Sequence, residues 1–130
     1  MDDIDALLDA RTVAVVGLSP DPGRASHEVA GYLRDHGYRI VPVNPNVEAV
    51  LGQRAYPSLA EVPFAVDLVD VFRRPEHLAG IVDEAIAKGV AGVWGQLGVV
   101  DQEAAARGRA AGLRVVMDRC LMVEHRRRRG

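Results

Sequence analysis

The sequence predicts an α/β fold with a doubly wound sheet, and three observations lead to this prediction. Five short runs rich in valine, isoleucine and leucine recur along the 130 residues. Segments with apolar residues at helical spacing separate them, and glycine or proline marks many of the ends. Helical segments of about ten residues or more allow parallel, right-handed crossovers. We therefore expect a three-layer α/β/α domain around a five-stranded parallel sheet.

Each predicted strand is one of these apolar runs. Thr12–Val16 is almost entirely apolar, which indicates a strand that is buried on both faces. Arg39–Val43 contains Pro42, which favours a position near the end of a strand. The full set is Thr12–Val16, Arg39–Val43, Val66–Phe72, Ala91–Trp94 and Leu113–Met117. In a Rossmann-like arrangement we expect the spatial order 3-2-1-4-5.

The predicted helices carry start and stop signals. Ser26 is suited to cap the helix after the first strand, and Gly37 follows the end of that helix. Pro75 lies in the first turn of a later helix, and Gly89 follows its end. The full set is Ser26–His36, Pro75–Lys88 and Asp101–Ala111, with short flanking helices at Asp5–Ala10 and Leu121–Arg126.

Composition bounds the class of protein. The length fits a single domain over residues 1–130, with its core at about residues 3–126. No apolar run approaches the ~18 residues of a membrane span, and the acidic start does not resemble a secretory signal. Cys120 is the single cysteine, so no internal disulfide can form. We expect a cytoplasmic protein without a membrane partner.

The charge is unevenly placed. Four arginines occupy Arg126–Arg129, and we expect this basic tail, residues 126–130, to be a frayed, solvated end. Without those four, 12 basic residues face 18 acidic ones, a net charge of about −6. Such a body lacks the clustered cations that phosphate backbones require. We expect no nucleic-acid partner.

The loop after the first strand favours an anion. Gly17 permits a tight turn, and the next helix begins near Ser26 with free N–H groups and a favourable dipole. Ser19 and Arg24 add donors. The loop can therefore hold a phosphate or pyrophosphate, although an ordinary strand-to-helix turn with a serine cap has the same composition.

This loop matches neither the dinucleotide-binding fingerprint nor the Walker-type nucleotide-binding fingerprint. The spacing from Gly17 to Gly23 is not G-x-G-x-x-G, and Ser19 stands where the second glycine is expected. The second predicted strand ends in Val43 and Asn44, without an acid for a ribose hydroxyl. No Gly-Lys-Ser/Thr sequence is present. These departures argue against a NAD site and a Walker-type site.

Four stretches in order carry a family resemblance. They are GLSPDPGRASHEVAGYL, GYRIVPVNPNVEAVLGQRAYPSL, VDVFRRPEHL and GVWGQLGVVDQEAAARGRAAGLRVVMDRCLMVEH. Together they resemble the stand-alone CoA-binding domain proteins, which are similar to the CoA-binding half of the succinyl-CoA synthetase alpha chain. The resemblance covers about residues 3–126. It implies a Rossmann-like domain that binds coenzyme A, often with no demonstrated reaction.

The resemblance also implies a set of cofactor-binding residues. The first loop would hold the CoA phosphates, the VNP turn would lie beside adenine and ribose, the third strand would meet the nucleotide, and the WGQLG stretch would lie near pantetheine. The residues are Gly17, Leu18, Ser19, Arg24, Ala25, Ser26, Val43, Asn44, Pro45, Phe72, Arg73 and Gln96.

The sequence departs from the synthetase pattern in two ways. The relatives carry a lysine shortly after the equivalent of Pro45, whereas Asn46, Val47 and Glu48 follow here. Arg24 or Arg73 could replace that lysine at the 3′-phosphate. The synthetase also has a second domain with a phosphorylated histidine, which this sequence lacks. We therefore expect no catalytic residues and no catalytic activity of the chain alone.

Other reactive side chains fit structural roles. The four histidines show no metal-ligand spacing, so we predict no metal site. Asp67, Asp70 and Asp118 lie on or beside strands, where acids with hydrogen-bond partners are common. Trp94 is expected in the core. Cys120 is either a small buried residue or a thiol that could form a mixed disulfide with CoA.

Three function classes remain open at this point. The first is a protein that binds CoA or acyl-CoA. The second is a redox or sensing domain that binds NAD(P). The third is a CoA-binding subunit of a separate acyl-CoA ligase. A monomer and a homodimer are both compatible with the sequence.

Overall fold

A computed structural model describes residues 1–130. Five helices flank the sheet, each near a predicted position: α1 Asp3–Leu8, α2 Ala25–Asp35, α3 Leu78–Lys88, α4 Gln102–Ala110 and α5 Leu121–Arg129. The predicted helix at Pro75–Lys88 is divided, because Pro75–His77 forms a 3-10 turn before α3 begins. None of the helices has the length and apolar character needed to cross a membrane.

Seven strands make two sheets. Five parallel strands form the main sheet. A hairpin of two antiparallel strands, each two residues long, follows the second strand of the main sheet. The strands are β1 Thr12–Val16, β2 Arg39–Val43, β3 Ala49–Val50, β4 Gln53–Arg54, β5 Leu68–Val71, β6 Gly92–Gly95 and β7 Arg114–Val116. The five-stranded parallel sheet is confirmed, and its strands are slightly shorter than the longest predicted runs.

The order of the main sheet is β2-β1-β5-β6-β7, so the predicted order 3-2-1-4-5 is wrong. The third main strand, β5, pairs with β1 from Val13 to Val16 instead of lying outside β2. Pro42 fits the position of β2 at the edge, where only Tyr56 bridges Val43 on the side away from β1. Arg39 donates its N–H toward β1, and by alternation the nitrogen of Pro42 faces the open side. A strand paired on that side would lack a hydrogen bond there.

Two apolar cores cover the two faces of the sheet, as a doubly wound fold requires. One cluster of 19 buried residues lies under α3 and α4, and it includes Leu78, Val82 and Ala105. A second cluster of 16 buried residues lies under α1, α2 and α5. Trp94 is fully buried in the second cluster, and its Nε1 donates to the Arg119 carbonyl over 2.8 Å. The predicted core role of Trp94 is confirmed.

The C-terminal arginines are helical, so the expectation of a frayed end is wrong. Helix α5 extends through Arg129. Arg129 bonds Asp9 over 2.7 Å, and Arg128 lies 3.1 Å from carboxylate oxygens of Asp2 and of Asp5. The acidic α1 segment thus neutralises the basic end of α5. Opposite charges that are distant in sequence meet because both termini pack against the same face of the sheet.

Candidate functional site

The corrected strand order places the topological switch point between β1 and β5. The chain leaves β1 toward β2 on one side and later returns to β5 on the other side. In such sheets ligands bind outside the carboxyl ends of the strands at this point. Gly17 follows β1 and Phe72 follows β5, so these two residues mark the centre of the candidate site. The predicted order would have set the switch point between Gly17 and Gly95 instead.

Gly17 is required at this centre by both space and backbone conformation. Its φ is +87°, a left-handed value that glycine adopts without strain. A Cβ atom at this position would overlap the carbonyl oxygen of Phe72 and lie 3.0 Å from the Cδ atom of Arg73. The aliphatic part of the Arg73 side chain therefore lies directly beside the first turn.

The first loop is ordered by side chains that accept its own N–H groups. The Ser26 hydroxyl accepts from the Ser19 N–H over 3.0 Å, and the Ser19 hydroxyl accepts from the Asp21 N–H over 3.0 Å. Asp21 accepts from the Gly23 N–H over 2.8 Å. The loop from Ser19 to Gly23 is thus held in one conformation by contacts that need no ligand.

Ser26 is not the N-cap that the sequence suggested. Helix α2 begins at Ala25, Arg24 is its N-cap, and no side chain caps it. Ser26 lies inside the first turn and is 5% exposed, and its hydroxyl serves the loop instead. The backbone N–H groups of Ala25 and Ser26 have no partner within the chain, so they are available to an anion.

The β2 tip is tied to the first loop. The Asn44 side-chain amide donates to the Leu18 carbonyl over 3.0 Å, and the Asn44 side-chain oxygen accepts from the Asn46 N–H over 2.9 Å. Leu18 is fully buried and serves as an anchor for the loop. Val43 is buried at the end of β2, whereas Pro45 is exposed. The VNP turn therefore holds the loop and presents Pro45 to solvent.

Two clefts flank the switch point, and Arg73 lines both. The first, about 240 Å³, opens between the tips of β1 and β2 and helix α3, and its lining includes Pro45, Arg73 and His77. The second, about 460 Å³, lies beyond the tips of β5 and β6, and its lining includes Phe72, Arg73 and Gln96. The exposed Arg73 side chain thus lies at the boundary between the two clefts.

Gln96 has a defined structural task at the second cleft. It is 6% exposed, and its side-chain oxygen accepts from the Leu121 N–H over 3.1 Å. Its own N–H donates to the Val71 carbonyl over 3.3 Å. Gln96 therefore joins the tips of β5 and β6 to the beginning of α5. Cys120, just before α5, is half-buried against the second core.

The cations at this edge differ from those at the C-terminus. Arg24, Arg73 and Arg74 are exposed, and the ion pairs of the structure involve other arginines. The Arg73 Nη2 atom lies 3.3 Å from the Nε2 atom of His77. Three arginines without carboxylate partners therefore lie at this edge, in a chain of net charge −2.

The sequence interpretation missed Arg74 and His77 as lining residues. His77 lies four residues after Arg73 and just after Pro75, which begins a helical turn. A spacing of four residues places two side chains on one side of a helix, but Arg73 precedes this turn. The contact between His77 and Arg73 therefore had no clear local signal in the sequence.

The three strand acids have different surroundings. Asp67 accepts the N–H groups of Arg11 and Thr12, and Asp118 accepts that of Gly98, so their structural roles are confirmed. Asp70 is fully buried, and neither of its oxygens has a partner. The expected hydrogen-bond partner of Asp70 is therefore absent. Burial raises the pKa of Asp70 well above its ordinary value.

The sequence of the chain matches one family model over most of its length. A family model described as a CoA binding domain matches residues 11–126. The chain belongs to this CoA-binding domain family. The CoA-binding domain covers most of the described structure, from the residue before β1 into α5.

Two proteins are similar to the chain over nearly its whole length. The chain is 40% identical to the uncharacterized protein YneT of Bacillus subtilis (strain 168) over 121 residues, which cover 93% of this chain and 90% of that protein. A solved structure described as a hypothetical protein from Pyrococcus horikoshii OT3 has a TM-score of 0.94 and 40% identity, covering 100% of this chain and 94% of that one.

The CoA-binding domain also resembles part of a larger enzyme. The alpha subunit of ADP-forming acetate–CoA ligase II from Pyrococcus furiosus is 35% identical over 91 residues. The match covers 69% of this chain and 20% of that subunit. The chain therefore corresponds to about a fifth of the ligase subunit.

Proposed function

We propose that this protein binds coenzyme A, free or acylated, at the carboxyl edge of its sheet. The observation that carries the proposal is the position of Arg73, which has no carboxylate partner and lies across the switch point between two clefts. Membership in the CoA-binding domain family supports CoA as the ligand.

The pyrophosphate fits the beginning of α2. The free N–H groups of Ala25 and Ser26 and the positive end of the helix dipole favour an anion there, and the exposed Arg24 adds charge. The loop before it is held by its own hydrogen bonds, so little ordering is needed on binding. The role proposed for this loop is recognition of phosphate.

The rest of a CoA molecule would occupy the two clefts. The first cleft is smaller than the about 300–1,000 Å³ of a pocket for a drug-sized ligand, so it suits one part of a large cofactor. Its position at the VNP turn favours the adenosine. The second cleft, beside Phe72 and Gln96, favours pantetheine. None of these residues is assigned a catalytic role.

Isothermal titration of the reduced protein with CoA, acetyl-CoA and NAD tests this proposal. We expect CoA or acetyl-CoA to bind and NAD to bind far more weakly, because β2 ends without an acid for the NAD ribose. Arg24→Ala should weaken CoA binding, whereas Arg34→Ala, near the other end of α2, serves as the matched control. Binding of NAD alone, or of none of the three, would contradict the proposal.

A second candidate function is a CoA-binding subunit of a separate acyl-CoA ligase. The similarity to the Pyrococcus furiosus ligase subunit favours it. Affinity purification of the tagged chain from its native cells tests this candidate. Recovery of a stoichiometric chain similar to the remaining part of such a ligase would support it, and recovery of the chain alone would argue against it.

A further inference from the structure

We infer that Arg73, oriented by His77, binds the ribose 3′-phosphate of CoA and thereby sets a preference for CoA over dephospho-CoA. This inference rests on the proposed function and adds to it the group that distinguishes two closely related ligands. It is carried by the lining of the first cleft, by the Arg73–His77 contact and by the charges around both.

The first cleft lies where a fold of this type meets the ribose. In Rossmann-like sheets the end of the second strand reads the ribose hydroxyls, and a nearby arginine accommodates a phosphate attached there. Val43 and Pro45 at the end of β2 line the first cleft. The residues after Pro45 supply no cation, since Asn46, Val47 and Glu48 follow. A phosphate on the ribose would therefore find no cation in this segment.

Arg73 is the one lysine or arginine among the residues that line this cleft. Its exposed side chain is not part of an ion pair, and its Cδ atom lies beside Gly17. A guanidinium offers several donors in a planar fork that matches a phosphate. Arg73 thus has the charge, the geometry and the free donors that the site requires.

His77 acts as a positioning residue. The Arg73 Nη2 atom lies 3.3 Å from the His77 Nε2 atom. Because a guanidinium can only donate, the His77 nitrogen is the acceptor in this contact. One donor of Arg73 is then used to direct the side chain over the cleft, and its other donors stay available to an anion.

One acid, Glu84, also lines the first cleft. Glu84 lies on α3, seven residues beyond His77, which is about 10 Å along a helix. A phosphate bound by Arg73 at the beginning of α3 is therefore well separated from this carboxylate. Arg24 at the beginning of α2 does not line the first cleft and is left for the pyrophosphate.

The test compares the affinities for CoA and dephospho-CoA by isothermal titration of the whole chain. For the unaltered protein we expect CoA to bind about 10- to 100-fold more tightly, as one charge-assisted contact allows. Arg73→Ala should bring the ratio close to one, chiefly by weakening CoA. His77→Ala should lower the ratio by a smaller factor, and His77→Gln, which retains an acceptor, should restore part of it.

Arg34→Ala is the matched control, because it removes the same charge near the other end of α2, from a residue that lines neither cleft. It should leave the ratio unchanged. Equal binding of both ligands by the unaltered protein would overturn this inference and leave the proposed function intact. A ratio that persists in Arg73→Ala would also overturn it. If neither ligand binds, the proposed function itself fails.

Discussion

Gly17 and Phe72 are in such close contact that the fold leaves no room for a side chain between them. A Cβ atom on Gly17 would overlap the Phe72 carbonyl oxygen. The Phe72 N–H donates to the Val16 carbonyl over 2.9 Å, so the same backbone segment also ends the β1–β5 ladder. The first turn and the β5 tip are therefore one structural unit, and the position of Arg73 depends on it.

Gly17→Ala should destabilise the protein and weaken CoA binding together. The new methyl group meets a backbone atom that cannot move freely, and alanine is strained at φ +87°. We expect the free energy of unfolding to fall by about 1–3 kcal/mol, measured by urea denaturation. CoA affinity should also fall, by at least about tenfold, because the shifted turn displaces the site. A loss of about 1.4 kcal/mol in binding free energy corresponds to such a tenfold change. The affinity is measured by titration below the unfolding transition.

Gly112→Ala is the control for backbone strain. Gly112 has φ +95°, with no atom within 4 Å of a Cβ placed there. It should lose about 1 kcal/mol of stability from the left-handed conformation and keep its CoA affinity. Unchanged CoA affinity in Gly17→Ala would show that the contact between the β1 turn and Phe72 does not shape the site.

The sequence predicts the layers of this fold better than it predicts their lateral order. Apolar runs and helix end signals depend on neighbouring residues, so the five parallel strands and the flanking helices are predictable. Lateral order depends on contacts between distant segments, and β5 could have been placed on either side of the β1–β2 pair. Pro42 was the local indication, because its missing N–H faces the side of β2 where Tyr56 makes only an isolated bridge.

Asp70 should make the stability of the protein fall as the pH rises. Burial raises the pKa of Asp70 well above 3.8, so the folded state keeps a proton that the unfolded chain releases. Between those two pKa values the folded state binds more protons, and stability therefore decreases with pH. Asp70→Asn should remove that part of the decrease, measured as the urea midpoint between pH 4 and pH 9.

Asp70→Val provides a second measurement at the same position. The neighbours of Asp70 in register are Val15 and Trp94, both fully buried. An apolar side chain removes two oxygens that lack partners. At pH 8 we expect Asp70→Val to raise the free energy of unfolding by about 1–3 kcal/mol. A loss of stability in Asp70→Val together with an unchanged pH dependence in Asp70→Asn would contradict this account.

His125 should make the protein less stable in mild acid. Its Nδ1 atom lies 2.8 Å from the Tyr32 hydroxyl, and its ring lies 5.3 Å from that of His36, centre to centre. Burial, His36 and Arg129 lower the pKa of His125 below 6.5. The unfolded chain therefore binds a proton before the folded chain does, and stability is lost as the pH falls below about 6.5.

The charged and titratable groups around His125 include two that disfavour its protonation, His36 and Arg129, and one acid, Asp9, in the same cavity. Besides His36 and Arg129 they include Arg126, over the Tyr32 ring, and Tyr38, against the His125 ring. His125→Gln should flatten the decline of the thermal midpoint between pH 7 and pH 5. His27→Gln, a substitution at the opposite end of α2, should retain the decline. An identical decline in the protein and in His125→Gln would reject this assignment.

The positions of the turns and of the first loop were predictable from local residues, whereas the hydrogen-bond and ion-pair partners of these residues were not. The glycine and serine positions of the first loop and the VNP turn form short, local patterns. The first loop and the end of β2 could therefore be located from the sequence. The hydroxyl of Ser26 could have capped the helix or served the loop, and only the folded loop decides between these uses. The Arg129–Asp9 contact joins residues 120 positions apart, and no local pattern encodes it.

Arg129→Gln should lower the thermal midpoint in a salt-dependent way. Arg129 bonds the Asp9 carboxylate over 2.7 Å and the Asp5 carbonyl over 3.0 Å, and so holds the end of α5 against α1. Exposed ion pairs contribute little, so we expect a loss on the order of 1–4 °C at low salt. At about 1 M salt the screening length is about 3 Å, and the difference in thermal midpoint should largely disappear.

Arg127→Gln is the matched control, since Arg127 is 71% exposed and reaches only Glu124 at 3.7 Å. An equal loss in both variants, or a loss that salt does not reduce, would show that the basic end of α5 is not held by its pairing with the acidic α1 segment.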